Sequence, residues 1–410
     1  MKKNRLIYIS AAVVLVAIAV AFYMSFPKAG DSILTTALTA VPASETTQTA
    51  TTTVQTTIAA TQTSSAATQA ATKKQVEDTV VNIVELGSTA DGKIKVGFTG
   101  DINLDEKWET GPMQFYNLGT NSISDFIDPV LVGRMKAADI LFVNNEFAFS
   151  DRGQKQGKKY TFRANPSNVS VLKELGVDAV SIANNHIYDY KTDAMLDTIT
   201  TLKGANIACV GAGENIAQAK RAAYFRINGK TIAFVAAGRT ESWLNTPAAT
   251  SSKPGILDAY GSDNCINAIK AAAAKSDFVF VYVHWGTENT NNTSGEQLTE
   301  GKRYIDAGAH AVIGAHPHVL QGMDFYKGRF IAYSLGNFWF NLKSLQSGYL
   351  ELVIDENGKI EPQFIPCQTN GGKTFIENDE SKRNSTLKLI ESVSPRRNIT
   401  MDENGMVTEK

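Results

Sequence analysis

Residues 277–285 read DFVFVYVHW. Apolar and aromatic side chains run unbroken from Phe278 to Val283, and the run ends on His284. A strand with one wet face alternates apolar with polar residues. An unbroken run suits a strand covered on both faces, as in parallel sheets flanked by helices. Runs of the same kind occur at 94–100, 140–145, 179–184, 207–212, 231–237, 311–315 and 330–336. Between several of them lie helical patterns, at 165–176, 192–205, 264–276 and 299–308. Strand–helix alternation of this sort predicts an α/β fold. Residues 349–365, YLELVIDENGKIEPQFI, read as a hairpin turned at Asn357-Gly358.

The strands share a second property: their C-terminal ends carry the polar clusters. GFTGD ends in Asp101, with Asn103 just beyond; LFVNNE ends in Asn145 and Glu146; SIANNH ends in Asn185 and His186. FVYVHW supplies His284, and VIGAHPH supplies His316 and His318. In open α/β sheets ligands bind outside the carboxyl ends of the strands. The chain has five histidines, and all but His310 fall at these ends. Imidazoles and carboxylates delivered to one rim predict a metal site. That donor set suits zinc, iron or manganese rather than calcium. His310, just before a strand, reads as structural.

Composition removes other classes. The formal net charge is −1, which gives no footprint for nucleic acid, and the loop 151–163, with five basic residues, reads as solvated apart from Arg163. Cys209, Cys265 and Cys367 are too scattered for a disulfide framework or a zinc knuckle and read as buried thiols.

The N-terminal region is unlike the rest. MKKNR is basic, and Leu6 to Phe26 contains no charge, long enough for one helical membrane crossing. Without a small-residue cleavage motif after it, residues 1–30 are expected to be an uncleaved signal-anchor. The basic flank places the N-terminus inside and the C-terminal bulk outside the cell membrane. Residues 31–78 are rich in Thr, Ala, Ser and Gln, a composition that reads as a disordered stalk spanning on the order of 35 Å. The globular domain is expected over 79–372, and 373–410 as a polar appendage.

The ordered set FTGD, NNE, YTFRANP, ANNHIYD, VHWGTE, IGAHPHVLQG and IAYSLGNFWF, over roughly residues 93–345, resembles the CapA-type bacterial capsule-synthesis proteins of poly-γ-glutamate production. Those are in turn similar to calcineurin-like metallophosphoesterases. The resemblance implies a four-layer α/β/β/α sandwich with one or two divalent metals. It implies Asp101 and His318 on a first metal, with Asn103 standing at a further ligand's place there, Glu146 in the bridging place, and Asn185, His284 and His316 on a second. His186 becomes a catalytic group that is not a ligand, with Asp189 orienting it or merely starting a helix. Arg163 and Asn337 become substrate contacts. Two departures stand out: Asn103 replaces the histidine of D-x-H, and Asn145-Glu146 replaces the G-D-x-x-D/N motif. A one-metal site is therefore an open alternative.

Three functions follow. One is a membrane-anchored, extracytoplasmic metal-dependent hydrolase acting on a phosphoester or on an amide of an anionic envelope polymer such as poly-γ-glutamate. Another is a non-catalytic partner of other capsule-synthesis membrane proteins, with a vestigial metal site. The third, a carboxylate-only hydrolase using Asp101 and Glu146, leaves the histidines unexplained.

Overall fold

The structure, a computed structural model, describes residues 83–240 and 246–410. The expected signal-anchor (1–30) and stalk (31–78) lie outside the described residues. Among the described residues no helix is long and apolar enough to cross a membrane.

The main strands are β1 (Ile83–Gly87), β2 (Ile94–Ile102), β3 (Ile140–Asn145), β4 (Ala179–Ser181), β5 (Ala208–Val210), β6 (Ala223–Ile227), β7 (Lys230–Gly238), β8 (Phe278–His284), β9 (Ala311–Ala315), β10 (Met323–Tyr326), β11 (Arg329–Ala332), β12 (Asn337–Trp339), β13 (Leu345–Ile354), β14 (Ile360–Asn370) and β15 (Lys373–Ile376). The main helices are α1 (Pro129–Lys136), α2 (Val169–Leu175), α3 (Lys191–Gly204), α4 (Asp263–Ala273), α5 (Gly295–Asp306) and α6 (Glu380–Val393). One sheet runs β15-β14-β13-β2-β3-β4-β5, with β12 added beside β2; the other runs β1-β6-β7-β8-β9-β11-β10. The cores β2-β3-β4-β5 and β7-β8-β9-β11 are parallel throughout.

The unbroken apolar runs now have their explanation. Along β8, Phe278, Phe280 and Tyr282 join the core between the sheets, while Val279, Val281 and Val283 join the core under the helices. Facing the first group are Phe98 and Phe142 of the first sheet: Phe98 meets Phe280 edge-on at 5.9 Å, and Phe142 stacks on Tyr282 at 5.1 Å. On the other side Cys265 and Ile269 of α4 and Tyr304 of α5 cover the valines. Both faces of β8 are therefore dry. Ser262 caps α4, and a Ser294–Gln297 capping box starts α5.

The hairpin turns where expected, with Gly358 in the left-handed region (φ 83°), but its strands are longer than 349–365. The runs at 179–184 and 207–212 shorten to β4 and β5. After β4 the chain leaves the ladder because the Asn184 side chain accepts the His186 and Ile187 N–H groups and bends it. The run expected at 330–336 divides. Its start is β11 in the second sheet; Gly336 (φ 67°) then turns the chain into β12, which pairs with β2 of the first sheet. This crossing sets Asn337 opposite Asp101.

Residues 373–410, expected as a polar appendage, are packed. Lys373–Ile376 form an edge strand on β14, and Leu387, Ile390, Ile399 and Val407 belong to the core. Their apolar positions are few enough to look like a tail, but they fall on the inner faces of short elements.

Candidate metal centre

Five strands end at one rim. Asp101 sits in β2, Glu146 follows β3, Asn185 and His186 follow β4, His284 ends β8, and His316 and His318 follow β9. The loop after β9 holds both histidines in left-handed backbone, at φ 97° for His316 and 59° for His318. Such backbone costs on the order of 1–3 kcal/mol per non-glycine residue and persists only where the surroundings impose it. Here the His316 N–H donates to Asp101 Oδ2 at 3.3 Å, and the Asn289 N–H holds the Pro317 carbonyl at 2.8 Å.

Two overlapping donor groups result. Glu146, His284 and His316 form one; Asp101, Glu146 and His318 form the other; within each, the ligand atoms lie within 4.8 Å of one another. Glu146 belongs to both. Its Oε1 lies 3.5 Å from His284 Nε2, 3.9 Å from His318 Nε2 and 4.0 Å from His186 Nε2. Asn185 Oδ1 is 2.9 Å from His284 Nε2, and His318 Nδ1 is 3.2 Å from Asp101 Oδ2.

The donors fit a cation. Glu146 is fully buried, yet neither carboxylate oxygen has a hydrogen-bond partner, and His316 Nδ1 also lacks one. An unpaired buried carboxylate is costly unless it neutralises or coordinates a metal. Protonation in the metal-free protein follows this logic. Burial, then the neighbouring Asp101, pushes the Glu146 carboxyl well above its usual range. Burial holds His284 well below the ordinary histidine value, and burial with His318 nearby pushes His316 down to about 3. His318 feels the same burial, but its hydrogen bond and attraction to Asp101 prevail, and its pKa rises. His284 and His316 are therefore held toward the neutral form a metal needs, while Glu146 and His318 are shifted toward the protonated forms that a metal displaces.

His186 stands beside the donors. Its Nδ1 lies 2.7 Å from Asp189 Oδ2, which also accepts the Phe162 N–H at 2.6 Å. Lys158 pairs with the other Asp189 oxygen and donates to the Asn185 carbonyl at 2.7 Å. Burial lowers the His186 pKa against the pull of Asp189.

The structure thus gathers Asp101, Glu146, Asn185, His186, Asp189, His284, His316, His318 and Asn337. Asn337 Oδ1 receives the His318 Nδ1 contact at 2.8 Å. Two residues differ from expectation. Asn103 turns its oxygen to the Asp105 N–H at 2.9 Å, so the group left unpartnered is its NH2, a donor and not a ligand. Arg163 does not reach the histidines: its guanidinium lies 4.1 Å over the Tyr190 ring and donates to the Arg152 carbonyl. A basic residue near a substrate motif is an ambiguous signal, and here an aromatic ring takes it.

Sequence reasoning passed over three residues. Asn144 Nδ2 donates to Asp101 Oδ1 at 2.8 Å and lies 3.2 Å from His284 Nδ1, tying the two sheets together at the site. It stands in the quoted NNE, one place before the residues singled out. Lys158 lies in a loop that reads as solvated. Glu288, four residues after His284, lines both clefts beside the centre.

Two face-to-face sheets with a buried carboxylate–imidazole cluster at their strand ends define the class: an α/β protein with a candidate metal centre. Residues 95–342 match the family described as bacterial capsule synthesis protein PGA_cap, and the chain belongs to that family, as the ordered motifs imply. The Capsule biosynthesis protein CapA of Bacillus anthracis is 34% identical over 226 residues, 53% of this chain and 54% of that protein. The PGA biosynthesis protein CapA of Bacillus subtilis (strain 168) is 31% identical over 304 residues, 73% of this chain and 77% of that one. The chain therefore spans about half of the first relative and about three quarters of the second. A solved structure of a novel phosphatase of Mycoplasma pneumoniae aligns over 68% of this chain and 95% of its own, with 14% identity and a TM-score of 0.44. A likeness of that size says nothing about activity.

Proposed function

We propose that this capsule-synthesis family member is a metal-dependent hydrolase of the metallophosphoesterase type. Its substrate is a phosphoester or amide of an anionic envelope polymer, poly-γ-glutamate being the one the relatives' names suggest. The observation that carries the reading is Glu146: a buried carboxylate with both oxygens unpartnered, ringed by His284, His316, His318 and Asp101. One or two ions of zinc, iron or manganese suit this donor set. A divalent ion held there supplies Lewis acidity toward the scissile group.

The chain's own residues do the rest. His186, aimed by Asp189, holds a proton on Nδ1 and presents an unprotonated Nε2 to the centre, so Nε2 can take a proton from the attacking water and then pass that proton to the leaving group. Lys158 fixes Asp189 and the Asn185 carbonyl together. Asn337 steadies His318. We further propose that Leu6–Phe26 anchors the chain in the cell membrane, with the folded part, its packed C-terminal residues 373–410 included, outside it, where polymer and other capsule-synthesis membrane proteins meet it.

The test is turnover. The full-length protein, with its metal content measured, is assayed on a general phosphodiester and on poly-γ-glutamate, with His186→Ala as control. Turnover lost in His186→Ala at unchanged metal content supports the hydrolase. Bound metal with no turnover on either substrate supports instead a non-catalytic component.

A further inference from the structure

The metal centre opens into two clefts that meet at Tyr160, His186 and Glu288. They are chemically unlike. The smaller, about 380 Å³, is walled by Gly157, Lys158 and Lys159. The larger, about 530 Å³, is walled by Trp108, Phe162 and Phe340 together with Asn289, Asn337 and Asn341.

The aromatic wall is continuous with the centre. Trp108 lies 4.6 Å from Phe162 and 5.5 Å from Phe340, ring centre to ring centre. Phe162 in turn lies 4.3 Å from His186, and Phe340 lies 4.8 Å from His318. Asn337 adds a directional polar group. It is 1% exposed, and with its oxygen committed to His318 its NH2 is left without a partner in that cleft.

Charge decides what belongs there. Aromatic faces carry negative potential and disfavour carboxylates. A chain with a carboxylate on every residue suits the cleft lined by Lys158 and Lys159 better than the aromatic one, whose single lysine, Lys343, is exposed; Glu288 borders both. A purely apolar tail leaves the amides unused. A pyranose ring uses both parts, with its C–H face on the aromatics and its oxygens on the amides.

We propose that the larger cleft is a saccharide subsite, with Trp108 as its platform and Asn337 as its buried donor. The substrate then joins an anionic chain to a sugar across the metal centre. Placing the bond there rests on the hydrolase reading; saccharide binding does not.

The test is isothermal titration of the full-length, metal-loaded protein with two probes, a trimer of N-acetylglucosamine and penta-γ-glutamate. Wild type binds both. Trp108→Ala weakens the sugar trimer about tenfold or more and leaves penta-γ-glutamate within about twofold. Trp108→Phe restores most of the loss. Lys159→Ala, at an exposed position, shows the opposite pattern. Circular dichroism checks folding, and Trp108→Leu, which keeps apolar volume without a ring, replaces the alanine variant if that does not fold. Glu146→Gln binds the sugar trimer like wild type, and a metal-loaded wild type that binds the sugar without turnover sinks the hydrolase and not the subsite. The subsite is overturned if wild type does not bind the sugar trimer. It is equally overturned if folded Trp108 variants bind it unchanged, or if Lys159→Ala weakens it as much as they do.

Discussion

Replacing Glu146 with glutamine separates the two states of the centre. Glu146 is the one carboxylate shared by both donor groups, so the change strips a charged ligand from each. In the metal-free protein the charge is a burden. Two carboxylates with ligand atoms within 4.8 Å repel by about 3–4 kcal/mol at an effective dielectric constant of about 20. Burial and Asp101 relieve this by shifting Glu146 toward its protonated form. An isosteric amide therefore leaves the metal-free melting temperature unchanged or slightly higher. With metal the order reverses. An ion at about 100 times its Kd stabilises the wild type by about 2.7 kcal/mol, or about 4 °C for a folded part of this size. Glu146→Gln gains little or none of that. The assay is a thermal melt with chelator and with excess Mn²⁺ or Zn²⁺, beside elemental analysis. A variant that keeps the wild-type stoichiometry and the full thermal gain refutes the assignment of Glu146.

Three more predictions follow from particular contacts. In the metal-free protein His316 is neutral with a pKa of about 3, whereas unfolded histidine titrates near 6.5. As a group whose folded pKa is depressed, it contributes stability that is present above about 6.5 and lost as pH falls toward 3. Urea melts at pH 7 and pH 5 with chelator present should therefore show lower stability at pH 5, and His316→Asn should flatten that slope. Lys158→Ala leaves Asp189 buried without its cation, which costs about 3 kcal/mol. A urea melt reads this, and Lys158→Arg should recover part of it. Gly100→Ala places a Cβ 1.8 Å from the Gly336 carbonyl, at the crossing that sets β12 beside β2. The expected loss is about 3 kcal/mol, read by thermal melting.

The parts of the fold legible in the sequence were those written locally. DFVFVYVH is apolar on both faces because two cores compete for it, and that shows without knowing the partners. The rim was legible for a related reason. Parallel strands share a direction, so polar residues at their C-terminal ends must emerge on one side. What stayed hidden depends on contacts between distant segments. Gly336 turning β12 into the other sheet is one case. The Trp108, Phe162 and Phe340 wall is another, since these rings meet only in the fold. The Asp105 N–H, two residues on, claims the Asn103 oxygen, a turn contact that the motif alone does not show. The Tyr190 ring under the Arg163 guanidinium, 27 residues on, is a further contact of this kind.

The central claim is that Glu146 and its ring of imidazoles hold a metal. Anomalous diffraction from crystals grown with Mn²⁺ or Zn²⁺, collected at the metal edge, tests it most directly. The account predicts a peak bounded by Glu146, His284 and His316, and, if two ions bind, a second bounded by Asp101, Glu146 and His318. Metal-loaded crystals with anomalous density elsewhere and none beside Glu146 would contradict it.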